Sequence, residues 1–222
     1  MSAPLRPRLV VFDCDGTLVD GQGAVVSAMA AAFVQHALPA PEAGLIRRSV
    51  GLSLPQAVRR LTPDSDDETV RGIVSAYKTT FRAAREAGEL SEPLYAGIAE
   101  LLADLAAAGC ALGVATGKSD RGLDHCLDTH GIAHLFTTLQ TADRHPSKPH
   151  PAMLEAALEA ALVGPGDAVM IGDTAYDMQM AREAGVRAIG VAWGYHEADE
   201  LIEAGADYVA DTVAELKAYL LP

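Results

Sequence analysis

The stretch Leu9-Val-Val-Phe-Asp-Cys-Asp-Gly-Thr17 constrains this chain more than any other. Leu9 to Phe12 is an unbroken apolar run, β-branched or aromatic after its first residue. Such a run reads as a strand covered on both faces, because a strand with one wet face would alternate. Asp13 and Asp15 stand at its end, two residues apart, and Gly16 and Thr17 follow. Two carboxylates at the mouth of a buried strand repel each other and are costly to desolvate. They point to a cation or acid–base site rather than to packing. Open α/β sheets bind ligands at the carboxyl ends of their strands, which is where both acids fall. Gly16 permits a sharp turn, and the Thr17 hydroxyl can tie the loop down. A lone Asp-x-Asp is compatible with a solvated turn, but an apolar strand followed by Asp-x-Asp-Gly-Thr is much more specific.

The pattern beyond this strand divides the chain. Residues 20 to 90 hold helices and no convincing strand. Ala24 to Leu38 is Ala-rich with Val25, Met29 and Phe33 close to helical spacing, and Pro39 and Pro41 follow. Residues 43–50 and 54–61 read as two short helices around Gly51-Leu-Ser53. A long helix to about Ala87 places Val70, Ile73, Val74, Tyr77 and Phe81 on one face. From Gly97 onward strands and helices alternate: helix 97–108, strand 111–116, helix 119–130, strand 136–139, helix 149–162, strand 168–171, a helix to Ala184, strand 187–191, a short strand 206–209 and helix 213–220. Strands alternating with helices of about a dozen residues indicate βαβ units. The expected fold class is α/β, a doubly wound parallel sheet with an inserted all-helical unit. The sheet-bearing core is assigned to residues 1–19 and 91–222, the helical unit to 20–90.

Charge narrows the function classes. Lys plus Arg number 17 against 30 Asp plus Glu, a net charge of −13. Such a chain has no general attraction for nucleic acid or anionic membranes. It also repels anionic substrates at long range, so phosphate binding requires local cations and a metal. Cys14, Cys110 and Cys126 fit no zinc spacing and leave an odd thiol in any disulfide scheme, which suits a reducing cytoplasm. Cys14, between the two aspartates, reads as a small buried hydrophobe in preference to a nucleophile. Met1 to Arg8 carries two arginines and no apolar targeting core, and no run approaches membrane-spanning length. A soluble, cytoplasmic protein is expected.

Three further stretches place chemically loaded residues at strand ends. Thr116-Gly117-Lys118 follows an apolar strand, with Ser119 able to cap the next helix. A hydroxyl and free backbone N–H groups there can cradle an anion, although a simple Gly turn explains this stretch taken alone. In Ser147-Lys148-Pro149-His150-Pro151 the prolines restrain the backbone, which would hold Lys148 as a fixed cation, although this stretch taken alone reads as an ordinary surface lysine. In Val169-Met-Ile-Gly-Asp-Thr-Ala-Tyr-Asp177, Asp173 ends a buried strand and Asp177 lies four residues on, in the first turn of a helix. A helix dipole accounts for Asp177 alone but less well for Asp173 behind Gly172. Oxygen ligands from two strand ends suit Mg²⁺.

Together, Asp13-x-Asp15-Gly-Thr17, Thr116, Lys148 and Gly172-Asp173-x-x-x-Asp177 resemble the complete motif set of the haloacid dehalogenase superfamily, over essentially the whole chain. The helical insert resembles that family's inserted cap. The resemblance implies a phosphoric monoester hydrolase in which Asp13 attacks phosphorus and Asp15 serves as general acid and base. It implies Mg²⁺ held by Asp13, the Asp15 backbone carbonyl and Asp173, with Asp177 orienting Lys148 or a metal-bound water. Thr116, Gly117 and Lys148 would hold the phosphate oxygens. Dehalogenases of the family lack the second aspartate, so Asp15 argues for phosphate chemistry. Specificity would come from the cap around Arg47, Arg48 and Gly51-Leu-Ser53. Arg47 and Arg48 read equally as ligands of a substrate carboxylate, Arg48 being the nearer to Gly51, or as decoration of a helix.

β-Phosphoglucomutases carry an Arg where Leu54 stands here, which argues against mutase activity. The lone insert lysine, Lys78, lies on a long amphipathic helix, which disfavours phosphonatase chemistry. The Ser147–Pro151 loop and Trp193-Gly-Tyr195 resemble the phosphoglycolate phosphatase branch, although Ser147 replaces a more usual Gly and Trp193 reads equally as packing. The expected partner is a small phosphorylated metabolite, bound by a monomer or homodimer. Pyrophosphatase, sugar-phosphate phosphatase or phosphomutase activity on the same core, and a non-catalytic binding role, are the alternatives.

Overall fold

The computed structural model describes residues 7–221; the first six, part of the stretch read as lacking a targeting core, lie outside the described residues. In chain order the elements are β1 (Leu9–Phe12), α1 (Gln22–Gln35), α2 (Ala43–Arg47), α3 (Leu54–Leu61), α4 (Asp67–Glu86), α5 (Ile98–Ala107), β2 (Ala111–Thr116), α6 (Asp120–Thr129), β3 (Thr138–Thr141), α7 (Ala152–Ala161), β4 (Ala168–Gly172), α8 (Ala175–Glu183), β5 (Arg187–Val191), α9 (Ala198–Ala204), β6 (Tyr208–Ala210) and α10 (Val213–Leu220). No helix among the described residues is long and apolar enough to cross a membrane.

The strands form one parallel sheet in the order β3-β2-β1-β4-β5-β6. The apolar first strand sits inside it, Phe12 opposite Val114 on one side and Ile171 on the other. All four of its side chains are fully buried, and the pleat sends them to two different cores. Leu9 and Val11 join Met153, Leu154, Met170 and Met178, whereas Val10 and Phe12 join Leu101, Leu105, Leu123 and Leu216. Helices cover both faces, giving the doubly wound α/β fold that the sequence predicts. Strand order runs outward from β1 in one direction and from β4 in the other. A crevice therefore opens between the carboxyl ends of these two strands.

Helices α1 to α4 enclose a separate core that includes Met29, Phe33, Ile46, Val58 and Ile73. The chain leaves the sheet and returns to it side by side. Asp20 N donates to Pro93 O at 2.8 Å, Tyr95 N donates to Leu18 O at 3.0 Å, and Val19 bridges Leu94 antiparallel.

Local departures from the sequence reading have physical causes. The third strand begins at Thr138 rather than 136, because a 3-10 turn over Ala133–Leu135 consumes the approach and Gly113 registers with Thr138. Helix α1 stops before the prolines, at a turn through Ala37, whose φ is +55°. Helix α9 lies where the sequence reading places no element; its capping box uses Glu197 and Glu200, without the Ser or Thr that usually advertises one.

The insert core is expected to be integral to stability. Ile73→Ala, at a fully buried position, should cost about 2–5 kcal/mol by urea denaturation. Ile202→Ala, on an exposed face of α9, should change stability by less than about 0.5 kcal/mol.

Candidate active site

Three buried carboxylates gather at the crevice, and two of them, Asp13 and Asp177, meet one ammonium. Asp13 follows β1, its backbone N–H extending the sheet by donating to Ile171 O at 2.8 Å. Asp173 follows β4, and Asp177 lies in the first turn of α8. One oxygen from each of the three lies within 4.8 Å of the others. Thr174 caps α8 and sets Asp177: its backbone N–H and its hydroxyl both donate to Asp177 Oδ2, at 3.1 and 2.7 Å. Gly172 lets this turn close, since a Cβ there would sit 2.3 Å from Asp177 Cγ. Asp173 accepts from Thr17 Oγ1 at 2.7 Å and from Tyr195 N at 2.9 Å.

Lys148 is fully buried among them, its Nζ donating to Asp177 Oδ1 at 2.6 Å and lying 2.9 Å from Asp13 Oδ1. Burial works against its charge, but Asp13 and Asp177 outweigh that and raise its pKa. One ammonium cannot balance three acids. Burial pushes the Asp13 pKa up to about 7, with Lys148 opposing and the charges of Asp177 and Asp15 reinforcing. Asp173 is raised well above the usual range by burial first, then by Asp13 and Asp177. Asp13 Oδ2 has no polar partner among the described residues, and the only partner of Oδ1 is the Lys148 ammonium, 2.9 Å away. Excess negative charge, all-oxygen donors and an orphaned buried carboxylate oxygen fit a hard divalent cation such as Mg²⁺.

Asp15 stands apart from this cluster. Its Oδ1 accepts from Lys118 Nζ at 2.6 Å, and the same ammonium reaches Glu92 Oε1 at 2.6 Å. Burial opposes the Lys118 charge, yet Asp15 and the neighbouring acids raise its pKa. Thr116, also buried, accepts from Lys118 N at 3.2 Å. Asp13, Asp15, Thr116, Gly117 and Lys118 form one wall of a cavity of about 470 Å³, facing Val50–Ser53 and helix α4. The α2–α3 loop is docked there: Ser53 N donates to Ser147 Oγ at 2.7 Å. A Cβ at Gly117 would lie 2.5 Å from the Leu52 carbonyl oxygen, so this approach needs glycine.

The predicted residues therefore divide into two groups. Asp13, Asp15, Thr116 and Gly117 face the cavity, while Lys148, Asp173 and Asp177 sit out of its lining. Arg48 is not brought to it. Helix α2 ends at Arg47, which turns the Arg48 guanidinium outward onto Glu200, while its carbonyl accepts from Tyr176 Oη at 3.0 Å. Arg47 folds back to donate to Ala43 O at 3.3 Å.

Glu92, Arg82 and Arg85 escaped the sequence reading. Glu92 lies in a linker without any motif, whereas the spacing of Lys78, Arg82 and Arg85 along α4 was a legible signal. Cys14 is buried 3.9 Å from the Cys126 sulfur; that contact and burial push its thiol pKa up, which suits packing. Trp193 Nε1 donates to Thr17 O at 3.2 Å, and His150 Nδ1 accepts from Ala152 N at 3.2 Å. Both act as supports.

Two outcomes follow from the charge balance. Lys148→Met strands buried carboxylates without a counterion and should cost about 3–5 kcal/mol near neutral pH, by chemical denaturation. Asp13 in the metal-free protein retains a proton up to about pH 7, whereas unfolded Asp releases it near 3.8. Its contribution is complete below pH 4 and is lost as pH rises towards 7. Melting curves of metal-free wild type should show this loss, and Asp13→Asn should be flatter over the same window.

Comparison with known proteins agrees with this geometry. A family model described as haloacid dehalogenase-like hydrolase matches residues 10–191. A probable phosphatase, IndB, of Dickeya dadantii is 36% identical over 94% of this chain and 91% of its own length. The tyrosine-protein kinase PtkA of Mycobacterium tuberculosis is 32% identical over 95% and 72% respectively. A phosphoglycolate phosphatase of Vibrio parahaemolyticus is 29% identical over 94% of each. Among solved structures, a predicted phosphatase from Clostridium acetobutylicum superposes with a TM-score of 0.88 at 28% identity, covering 97% of this chain and 99% of the other. Motifs, topology and relatives agree, and the chain belongs to the haloacid dehalogenase-like hydrolase family.

Proposed function

We propose that this chain is a Mg²⁺-dependent phosphatase that hydrolyses a small phosphorylated metabolite through an aspartyl-phosphate, with residues 20–90 acting as a cap over a core of residues 1–19 and 91–222. The observation that carries this reading is the Asp13 carboxylate. It is buried, one of its oxygens has no partner among the described residues while the other meets only Lys148, and it lines a cavity whose wall also bears Asp15 and Thr116. A carboxylate so placed is an available nucleophile.

In the first step an Asp13 oxygen bonds to phosphorus as the ester oxygen departs, and Asp15 delivers a proton to that oxygen. In the second, ionised Asp15 takes a proton from water, whose oxygen displaces Asp13 and releases inorganic phosphate. Thr116 Oγ1, the Gly117 backbone N–H and Lys148 hold the phosphoryl oxygens. Lys118, shared with Glu92, keeps the Asp15 carboxylate at the cavity wall. Asp13, Asp173 and the Asp15 carbonyl would hold Mg²⁺, and Asp177 positions Lys148. When bound, the cation supplies charge neutralisation at the phosphoryl group.

The Vibrio relative and the Ser147–Pro151 loop make 2-phosphoglycolate the reference substrate. The PtkA relative supports a second reading, transfer from the same aspartyl-phosphate to a hydroxyl acceptor. Three free thiols suit a reducing cytoplasm.

Phosphate release from 2-phosphoglycolate, hexose phosphates, nucleotides, pyrophosphate and phosphotyrosine peptide, with Mg²⁺ and with EDTA, tests the reading. Mg²⁺-dependent release is expected, and Asp13→Asn should lose at least about 10³-fold in kcat while remaining folded. Near wild-type turnover by Asp13→Asn would remove the nucleophile assignment.

A further inference from the structure

Helix α4 presents a cationic face that the chemistry above leaves unused. Lys78, Arg82 and Arg85 are spaced by four and three residues, which stacks them on one helix face, and all three line the cavity. Arg121 of α6 lines it as well. With Lys118, five of the 17 Lys and Arg residues of this acidic chain surround one cavity. Lys118 is committed to Asp15 and Glu92. Among the described residues, none of the other four lies within 4.0 Å of a carboxylate, a condition they share with Arg47, Arg60, Arg71, Arg182 and Arg187; what sets the four apart is the cavity they line. The cavity's further acid, Asp143, is already engaged, accepting from Asp120 N at 2.9 Å.

Arg85 carries the most specific signal. Its Nε is shielded from solvent and finds no acceptor among the described residues. A shielded guanidinium N–H marks a position where an acceptor belongs, because leaving it unmade is costly. Its place relative to the chemistry is also defined. The Phe81 ring centroid lies 5.9 Å from Arg85 Cζ and 5.9 Å from Lys118 Nζ, which holds Asp15. A ligand reaching from Asp15 to Arg85 passes one aromatic ring, along a wall that includes Met29, Val50, Leu52 and Tyr77. A volume of about 470 Å³ lies within the range of pockets that enclose ligands far larger than a two-carbon acid.

We propose that Arg82, Arg85 and Arg121 form a second anion subsite, so that the substrate class is a phosphate monoester whose ring-sized apolar body carries a further anionic group at its far end. The inference rests on the phosphatase reading and specifies its substrate. Guanidinium groups grip carboxylate and phosphate in a planar, two-pronged geometry, so one subsite serves either anion. The local cations also offset the repulsion that a net charge of −13 imposes on an anion.

The test compares 4-(carboxymethyl)phenyl phosphate with its primary amide, matched in size and leaving group, under saturating Mg²⁺. The acid should exceed the amide in kcat/KM by about tenfold or more, since charged pairs of this kind contribute at that scale. Arg85→Met should bring that ratio close to one, and Arg85→Lys should restore part of it. A 4-(phosphonomethyl)phenyl phosphate arm separates the anions: preference for it over the carboxylate assigns the far group as a phosphate, and the reverse assigns a carboxylate. Calorimetric titration of wild type with non-hydrolysable 4-carboxybenzylphosphonate and its amide reads the subsite without turnover. Equal binding and equal kcat/KM of acid and amide, or a preference that survives the Arg82→Met/Arg85→Met pair, overturns the subsite. Tighter binding of the acid phosphonate with no hydrolysis of any ester leaves the subsite standing and removes the phosphatase reading instead.

Discussion

The structure depends on a charge imbalance held in the dry junction between two strands. Lys148 touches Asp13 and Asp177, Asp173 stands beside these two acids, and the cluster holds three carboxylates for a single ammonium. Burial makes Asp13 and Asp173 costly to ionise, and the ammonium offsets only part of that cost. The remainder appears in the raised pKa values of Asp13 and Asp173. A site of this kind carries more negative charge than its one ammonium balances, which is the condition a hard divalent cation would meet.

The fold makes this arrangement possible by supplying neighbours from remote parts of the chain. The sheet places β1 beside β4, so Asp13 and Asp173, 160 positions apart in sequence, become adjacent. The capping box of Thr174 then turns Asp177 back towards the strand ends, and the Ser147–Pro151 loop carries Lys148 beneath both. Each supporting group does one physical job. Thr17 and Tyr195 N orient Asp173, Trp193 braces the loop bearing Thr17, and Lys118 restrains Asp15.

Much of this was legible in the residues. The run Leu9–Phe12 announces a strand buried on both faces, and the acids behind it announce a site, because neither has a good packing explanation. The alternation from Gly97 onward announces the parallel sheet. What was not legible depends on partners distant in sequence. Arg48 reads equally as a substrate ligand or as helix decoration, and only the fold reveals Glu200, on a helix with an unadvertised cap, beside its guanidinium. Glu92 has no local signature because its meaning comes from Lys118, and the third strand shifts because its register is set by Gly113. Arg82 and Arg85 show their spacing in the sequence, but not the cavity they face.

The junction of the helical insert has a consequence for how such chains diversify. The insert leaves and returns through paired segments, with Val19 opposite Leu94, so its two ends are neighbours before any helix is added. Strand β1 takes its register from β2 and β4, neither of which lies within the inserted segment. A segment of different length or helix count can be grafted at that seam without shifting a single strand pairing. Its contacts with the chemistry include a main-chain amide on Ser147 and a carbonyl over Gly117. Contacts made by backbone atoms place few demands on side-chain identity. Side chains of the insert can therefore change without moving the backbone contacts that seat it over the acid cluster.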